Sequence, residues 1–118
     1  MARKVLIVDD AQVDRSNLEK IVSGAGHQTL LADSGAQAIE RAKRDKPDLI
    51  FMDVNMPGMD GFAATRQLKA DDATKGIPIV FVTSKNQKAD MAWGQMLGAK
   101  GYVGKPYSNE QILEQLKA

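Results

Sequence analysis

Strand-length apolar runs alternate with stretches of helical period along this chain, and that alternation is the signature of a parallel sheet wrapped by helices. Five such units can be read. Lys4 to Asp9 is the first strand, and Val13, Leu18, Ile21 and Val22 mark roughly one face of the helix after it, which ends before Gly24 and Gly26. His27 to Ala32 reads as the second strand. Ser34 and Gln37 have the spacing of a capping box, opening a helix whose inner stripe is Ala38, Ile39 and Ala42, and Pro47 closes that connection. Asp48 to Asp53 is nearly all apolar, as a central strand buried on both faces should be. After the turn Met56-Pro57-Gly58-Met59-Asp60-Gly61, Asp60 is placed to cap a helix from about Gly61 to Ala70. Ile79 to Thr83 is the fourth strand, with Pro78 tolerated at its start. The helix from about Gln87 to Leu97 carries Ala89, Trp93, Met96 and Leu97 at the i, i+4, i+7, i+8 spacing of a packing face, so Trp93 is expected against the core. Gly101 to Val103 is a short fifth strand, and Ser108 with Gln111 caps a last helix bearing Ile112, Leu113 and Leu116.

A length of 118 residues fits one domain, 1–118, and the sequence stops after the last helix, so no output domain is expected. Lysine and arginine nearly balance aspartate and glutamate, leaving a formal charge of +1, so no global field draws the chain to nucleic acid or anionic lipid. The absence of cysteine removes disulfides, thiolate metal sites and thiol nucleophiles together. The apolar run after Arg3 and Lys4 ends in two aspartates and is too short for an export signal or a membrane span, so a cytoplasmic protein is expected.

Chemistry gathers where strands end. Asp9 and Asp10 close the first strand and Asp53 closes the third, and carboxyl ends of strands in an open α/β sheet frame the crevice where ligands bind. Asp10 alone is equally well read as a cap for the next helix. Asp9 and Asp53 are harder to explain that way, because partly buried carboxylates on neighbouring strands repel one another unless a cation lies between them. Oxygen ligands without histidine or cysteine suit Mg²⁺, which takes one or two carboxylates together with waters and phosphate oxygens. A carboxylate beside Mg²⁺ can act as a nucleophile and form an aspartyl phosphate, and Asp53 is the candidate. Lys105 offers a compact positive charge to phosphoryl oxygens and Thr83 a hydroxyl, though each taken alone reads as a solvated lysine or a strand-end cap.

The ordered set Asp9-Asp10, Asp53, Met56-Pro57-Gly58-Met59-Asp60-Gly61, Thr83 and Gly101-Tyr102-Val103-Gly104-Lys105-Pro106 closely resembles bacterial response-regulator receiver domains of the CheY type, over essentially the whole chain. Trp93-Gly94 with Gly98-Ala99-Lys100 resembles the small PilG/PilH regulators of type IV pilus (twitching) motility. The resemblance implies a flavodoxin-like, five-stranded parallel sheet of order 2-1-3-4-5 with five helices on both faces. It also implies Mg²⁺ held by Asp9, Asp10, Asp53 and the backbone carbonyl of Asn55. Asp53 would accept phosphate from a histidine kinase or a small phosphodonor, with Lys105 and Thr83 in contact with it and a cis Lys105–Pro106 bond.

Thr83 and Tyr102 would then move toward the site and alter the face of the fourth helix, fifth strand and fifth helix. There Lys88, Met91, Gln95, Tyr102 and Tyr107 would meet a downstream protein effector. Asn55 and Lys85 occupy positions that set phosphate lifetime; Lys85 either pairs with the phosphate, slowing hydrolysis, or stays in water. The resemblance implies a monomeric two-component signalling protein rather than an enzyme, with self-phosphorylation and self-dephosphorylation as its own chemistry.

Rival readings fail on particular residues. A P-loop needs glycine where Ala99 stands and Ser or Thr where Pro106 stands, and no dinucleotide fingerprint follows the first strand. A haloacid-dehalogenase phosphatase needs a second aspartate where Asn55 stands. The single histidine, His27, lies at the end of the sheet opposite the carboxylates and reads as structural. Two alternatives stay open: a receiver-fold module that works without phosphorylation, and a phosphate sink for a shared kinase.

Overall fold

The computed structural model describes residues 2–117. Five strands, β1 (Lys4–Val8), β2 (Gln28–Ala32), β3 (Leu49–Met52), β4 (Ile79–Thr83) and β5 (Gly101–Gly104), form one sheet of order β2-β1-β3-β4-β5 in which every pairing is parallel. Five helices connect and flank them: α1 (Gln12–Gly24), α2 (Gly35–Asp45), α3 (Gly61–Ala70), α4 (Lys88–Met96) and α5 (Asn109–Leu116). The expected fold class and strand order are both present.

Alternation along the central strands divides the core in two. Leu6, Val8, Ile50, Met52 and Phe81 face α2 and α3, meeting Ala38, Ala42, Phe62, Ala64 and Leu68. Val5, Ile7, Leu49, Phe51, Val80 and Val82 face the other way onto Leu18 and Val22 of α1 and Ile112 and Leu116 of α5. β3 and β4 are buried along their whole length, which explains why they read as unbroken apolar runs.

Register then places the chemistry. Val8 pairs with Met52, so Asp9 and Asp53 leave adjacent strands at the same level, and Thr83 pairs with Gly104, so Lys105 leaves one residue beyond Thr83, its N–H donating to the Thr83 carbonyl. The turn after Asp53 returns close to it: a Cβ on Gly61 would lie 2.0 Å from the Asp53 carbonyl oxygen, so only glycine fits there. Asp60 caps α3 through Ala63 N–H at 2.8 Å, and Ser108 and Gln111 form the expected reciprocal box on α5.

Several local expectations are corrected. Val13 is 81% exposed, because it lies five residues before Leu18 and so about 140° around the helix from the inner face. Gly24 is the last residue of α1 rather than its stop, and the left-handed turn falls on Gly26, with φ of 91°. Gln37 does not complete a box with Ser34: its side chain accepts from Asp33 N–H at 2.7 Å, one residue before the cap, while Ser34 Oγ accepts from Gln37 N–H. Leu113 is half-exposed, beside the buried Ile112 and Leu116.

The largest departure is α4. Ala89, Trp93 and Met96 face outward, Met96 being 77% exposed, and the residue that α4 buries is Gly94. A Cβ on Gly94 would come within 3.0 Å of the Tyr102 ring and 3.1 Å of the Phe81 ring, so these aromatics fill the space that the helix leaves. Trp93 instead lies under the Arg66 guanidinium, 5.7 Å from the ring centroid.

Candidate phosphoacceptor and cation site

Asp9, Asp10 and Asp53 each present a carboxylate oxygen, and the three oxygens lie within 4.8 Å of one another. Asp9 and Asp53 are buried and Asp10 is exposed. The N-cap of α1 is Ala11, with no side-chain cap, so Asp10 is not spent on the helix. Asp9 is held from two sides: its Oδ1 accepts from Ala11 N–H at 2.9 Å, and its main-chain carbonyl accepts from Arg15 at 2.6 Å. Asn55 N–H donates to Asp53 Oδ1 at 3.3 Å. The donor set is oxygen only, acidic and close enough to share one ion, which suits a hard divalent cation.

Lys105 enters the same cluster from β5. Its ammonium lies 2.7 Å from Asp9 Oδ2, 3.0 Å from Asp14 Oδ2 and 3.5 Å from Asp53 Oδ2, and the Lys105–Pro106 bond is cis. The electrostatics follow from burial and crowding. Burial pushes the Asp53 carboxyl above its ordinary value, the Asp9 carboxylate pushes it further, and Lys105 opposes both without prevailing. For Lys105 burial favours the neutral amine, but hydrogen bonds to Asp9 and Asp14 with the nearby charge of Asp53 win together, so its ammonium is held above the usual lysine range.

Thr83 is fully buried, and its Oγ1 accepts from Lys85 N–H at 3.2 Å. The Lys85 ammonium lies 3.6 Å from Asp90 Oδ1, and Asp90 also caps α4 by accepting from Gln87 N–H at 3.1 Å. Tyr102 donates from its hydroxyl to the Lys85 carbonyl.

Lys88, Met91, Gln95 and Tyr102 line one groove of about 460 Å³ between α4 and β5. Tyr107 does not join them. The loop after β5 turns toward α1, where the Tyr107 hydroxyl accepts from Asn17 at 3.1 Å and the ring packs on the α1 and α5 side of the core. A larger hollow of about 1060 Å³ surrounds Arg3, His27, Asp48 and Pro78 at the opposite end of the sheet, away from every carboxylate of the cluster. His27 there accepts from Arg3 N–H at 3.0 Å, a structural bond.

The sequence matches the response regulator receiver domain over residues 5–117. The chain belongs to the response-regulator receiver family. PilH of Pseudomonas aeruginosa is 42% identical over 118 residues, which span all of this chain and 97% of PilH. Among solved structures, the chemotaxis protein CheY4 of Vibrio cholerae superposes with a TM-score of 0.91 at 31% identity, over 98% of this chain and 97% of that one. The receiver domain of the sensor histidine kinase PA1611 of Pseudomonas aeruginosa superposes with a TM-score of 0.89 at 28% identity, over 98% and 95% of the two chains, and holds a magnesium ion in its active-site cleft. Receiver domains are signalling domains that take phosphate from histidine kinases and act on effectors. No helix among the described residues of this receiver domain is long and apolar enough to cross a membrane.

One partner of Lys105 was missed in the sequence. Asp14 reaches Lys105 from the first turn of α1, and the available signal was its position: a helix that begins where a strand ends at the crevice presents its first turn to that crevice.

Proposed function

We propose that this receiver domain is a phosphorylation switch in which Asp53 accepts a phosphoryl group from a histidine kinase or, more slowly, from a small phosphodonor. The observation that carries the proposal is the Asp53 carboxylate itself, 6% exposed, sharing an oxygen cluster with Asp9 and Asp10 and facing the Lys105 ammonium at 3.5 Å. Mg²⁺ would be held by the carboxylates of Asp9, Asp10 and Asp53 with the backbone carbonyl of Asn55. When bound, the ion supplies positive charge for the phosphoryl oxygens as they approach a crowded acidic pocket.

The chain's own groups do the rest. An Asp53 oxygen attacks phosphorus, and the bond from phosphorus to the donor's leaving group breaks with its electron pair on that group; with acetyl phosphate the group that departs is acetate. Lys105 orients and partly neutralises the phosphoryl oxygens, and Thr83 offers its hydroxyl to another of them. The product carries about −1.5 to −2 charge at pH 7. That charge biases an existing equilibrium between two arrangements of the β4–α4 loop and Tyr102, and the effector-facing groove between α4 and β5 changes with it. Asn55 and Lys85 flank the phosphoryl position and set its lifetime, Lys85 slowing hydrolysis when it leaves Asp90 for the phosphate. The resemblance to PilH supports a part in pilus-motility control.

Incubation with acetyl phosphate, with and without Mg²⁺, tests the reading by intact mass. One added phosphoryl group is expected with Mg²⁺ only, and none on Asp53→Asn. Wild-type protein that stays unlabelled with both acetyl phosphate and a competent kinase would make this a phosphorylation-independent interaction module.

A further inference from the structure

A lysine ammonium has three N–H donors, and Lys105 faces three carboxylates with them. The contacts are unequal: 2.7 Å to Asp9, 3.0 Å to Asp14 and 3.5 Å to Asp53. Asp14 lies outside the three-carboxylate cluster and is half-exposed, with 48% of its side chain accessible against 7% for Asp53. One turn further along α1, Asn17 donates to the Tyr107 hydroxyl, so α1 grips the loop on both sides of Pro106.

We propose that Asp14 is a positioning residue that draws the Lys105 ammonium off the acceptor oxygen of Asp53, keeping that oxygen free to attack while making the pocket less receptive to anionic donors. The inference rests on the phosphoacceptor reading above. Lysine carries a compact charge on a flexible stem, so its position follows its counter-charges. Without the charge of Asp14, only Asp9 and Asp53 remain to hold it, and the ammonium closes on Asp53. Two effects of opposite sign follow. The pocket mouth loses one negative charge, so an anionic donor is held at lower concentration. The acceptor oxygen becomes tied into a shorter charge-assisted hydrogen bond, so attack slows once the donor is bound. A residue needed only for folding would lower the active fraction without separating the two.

The experiment measures labelling rate against acetyl phosphate concentration at saturating Mg²⁺ for the wild type, Asp14→Asn, Asp14→Glu and Asp72→Asn. Asp72, 94% exposed in an ion pair with Lys75, makes the last variant an equal change of net charge away from Lys105. Asp14→Asn should lower the half-saturating concentration roughly two- to fivefold, the range open to a partly exposed ion pair, and reduce the saturated rate. Asp14→Glu should restore both and Asp72→Asn leave both alone. An unchanged or raised half-saturation in Asp14→Asn, or the same split in Asp72→Asn, overturns the proposal. If the wild type takes no label, the phosphoacceptor reading fails instead, and Asp14 is judged by Mg²⁺-dependent melting. A Lys105 drawn onto Asp53 competes with the ion, so the Asp14→Asn midpoint should move to higher Mg²⁺, and an unmoved midpoint overturns the proposal.

Discussion

The Tyr102 hydroxyl donates to the main-chain carbonyl of Lys85, tying β5 to the loop between β4 and α4. The same Lys85 gives its N–H to Thr83 Oγ1 and its ammonium to Asp90, the residue that caps α4. One residue therefore joins the buried end of β4, the ring on β5 and the start of α4. The links to Thr83 and Tyr102 use main-chain groups of Lys85 and the link to Asp90 its ammonium, so the side chain can change partners while β4 and β5 stay tied.

Tyr102 should report its own titration in stability. Burial first, then the carboxylates of Asp90 and Asp53, push its phenol up to about 12. The folded state thus favours the neutral phenol, and that contribution is whole below the unfolded value of about 10 and is lost as pH rises through about 12. Tyr102→Phe removes the bond to Lys85 and should cost about 0.5–1.5 kcal/mol near neutrality, read as a lower urea midpoint. The gap between the two proteins should close between about pH 10 and 12, and a gap that stays constant there would contradict the assignment.

Two glycines should respond to alanine in opposite directions. Gly61→Ala puts a Cβ into the Asp53 carbonyl oxygen, displaces the turn after β3, and should lose at least about 1–3 kcal/mol together with acetyl phosphate labelling. Gly24 ends α1 in open space, where an added Cβ would meet nothing within 4 Å, so Gly24→Ala should gain about 0.4–1 kcal/mol by stiffening the unfolded chain. Thermal melts of both variants read the contrast directly.

Trp93 and Phe81 reverse the ranking that residue size alone suggests. Phe81 is fully buried, stacked edge-on against Phe62 at 5.1 Å, so Phe81→Ala should cost about 3–5 kcal/mol. Trp93 is 37% exposed and lies under the Arg66 guanidinium, so Trp93→Ala should cost distinctly less. Equal losses in denaturant titrations would return Trp93 to the core.

The contrast shows what the sequence could and could not disclose. Strands β3 and β4 were readable because both faces are buried and every residue reports it. The caps at Asp60 and Ser108 were readable because capping is local chemistry over four residues. Helix α4 misled because its inward residue is Gly94, whose missing side chain is replaced by rings from β4 and β5, so Ala89, Trp93 and Met96 of the apolar stripe point at solvent and Leu97 alone of the four packs against the core. The three clustered aspartates were readable as strand ends at one crevice. Asp14 was legible only as a first-turn residue facing the crevice; its pairing with Lys105 depends on how α1 lies against the loop after β5, a tertiary fact with no periodic trace.

Divalent cation should act on stability through Asp10 and Asp53 in different ways. Asp53 is raised mainly by burial and next by Asp9, so its ionised form destabilises the fold at pH values above its unfolded value of 3.8, increasingly as pH rises through the folded one. Asp53→Asn should therefore melt higher than the wild type at neutral pH without Mg²⁺. Asp10 is exposed and carries no hydrogen bond or ion pair among the described residues, so Asp10→Asn should leave the Mg²⁺-free melt almost unchanged. Adding Mg²⁺ separates them from the wild type together. A ligand at a hundred times its dissociation constant stabilises the folded state by about 2.7 kcal/mol, so millimolar Mg²⁺ should raise the wild-type melting temperature and move both variants much less. An equal Mg²⁺ shift in all three proteins would place the ion elsewhere, since Asp10 has no other route by which to feel it.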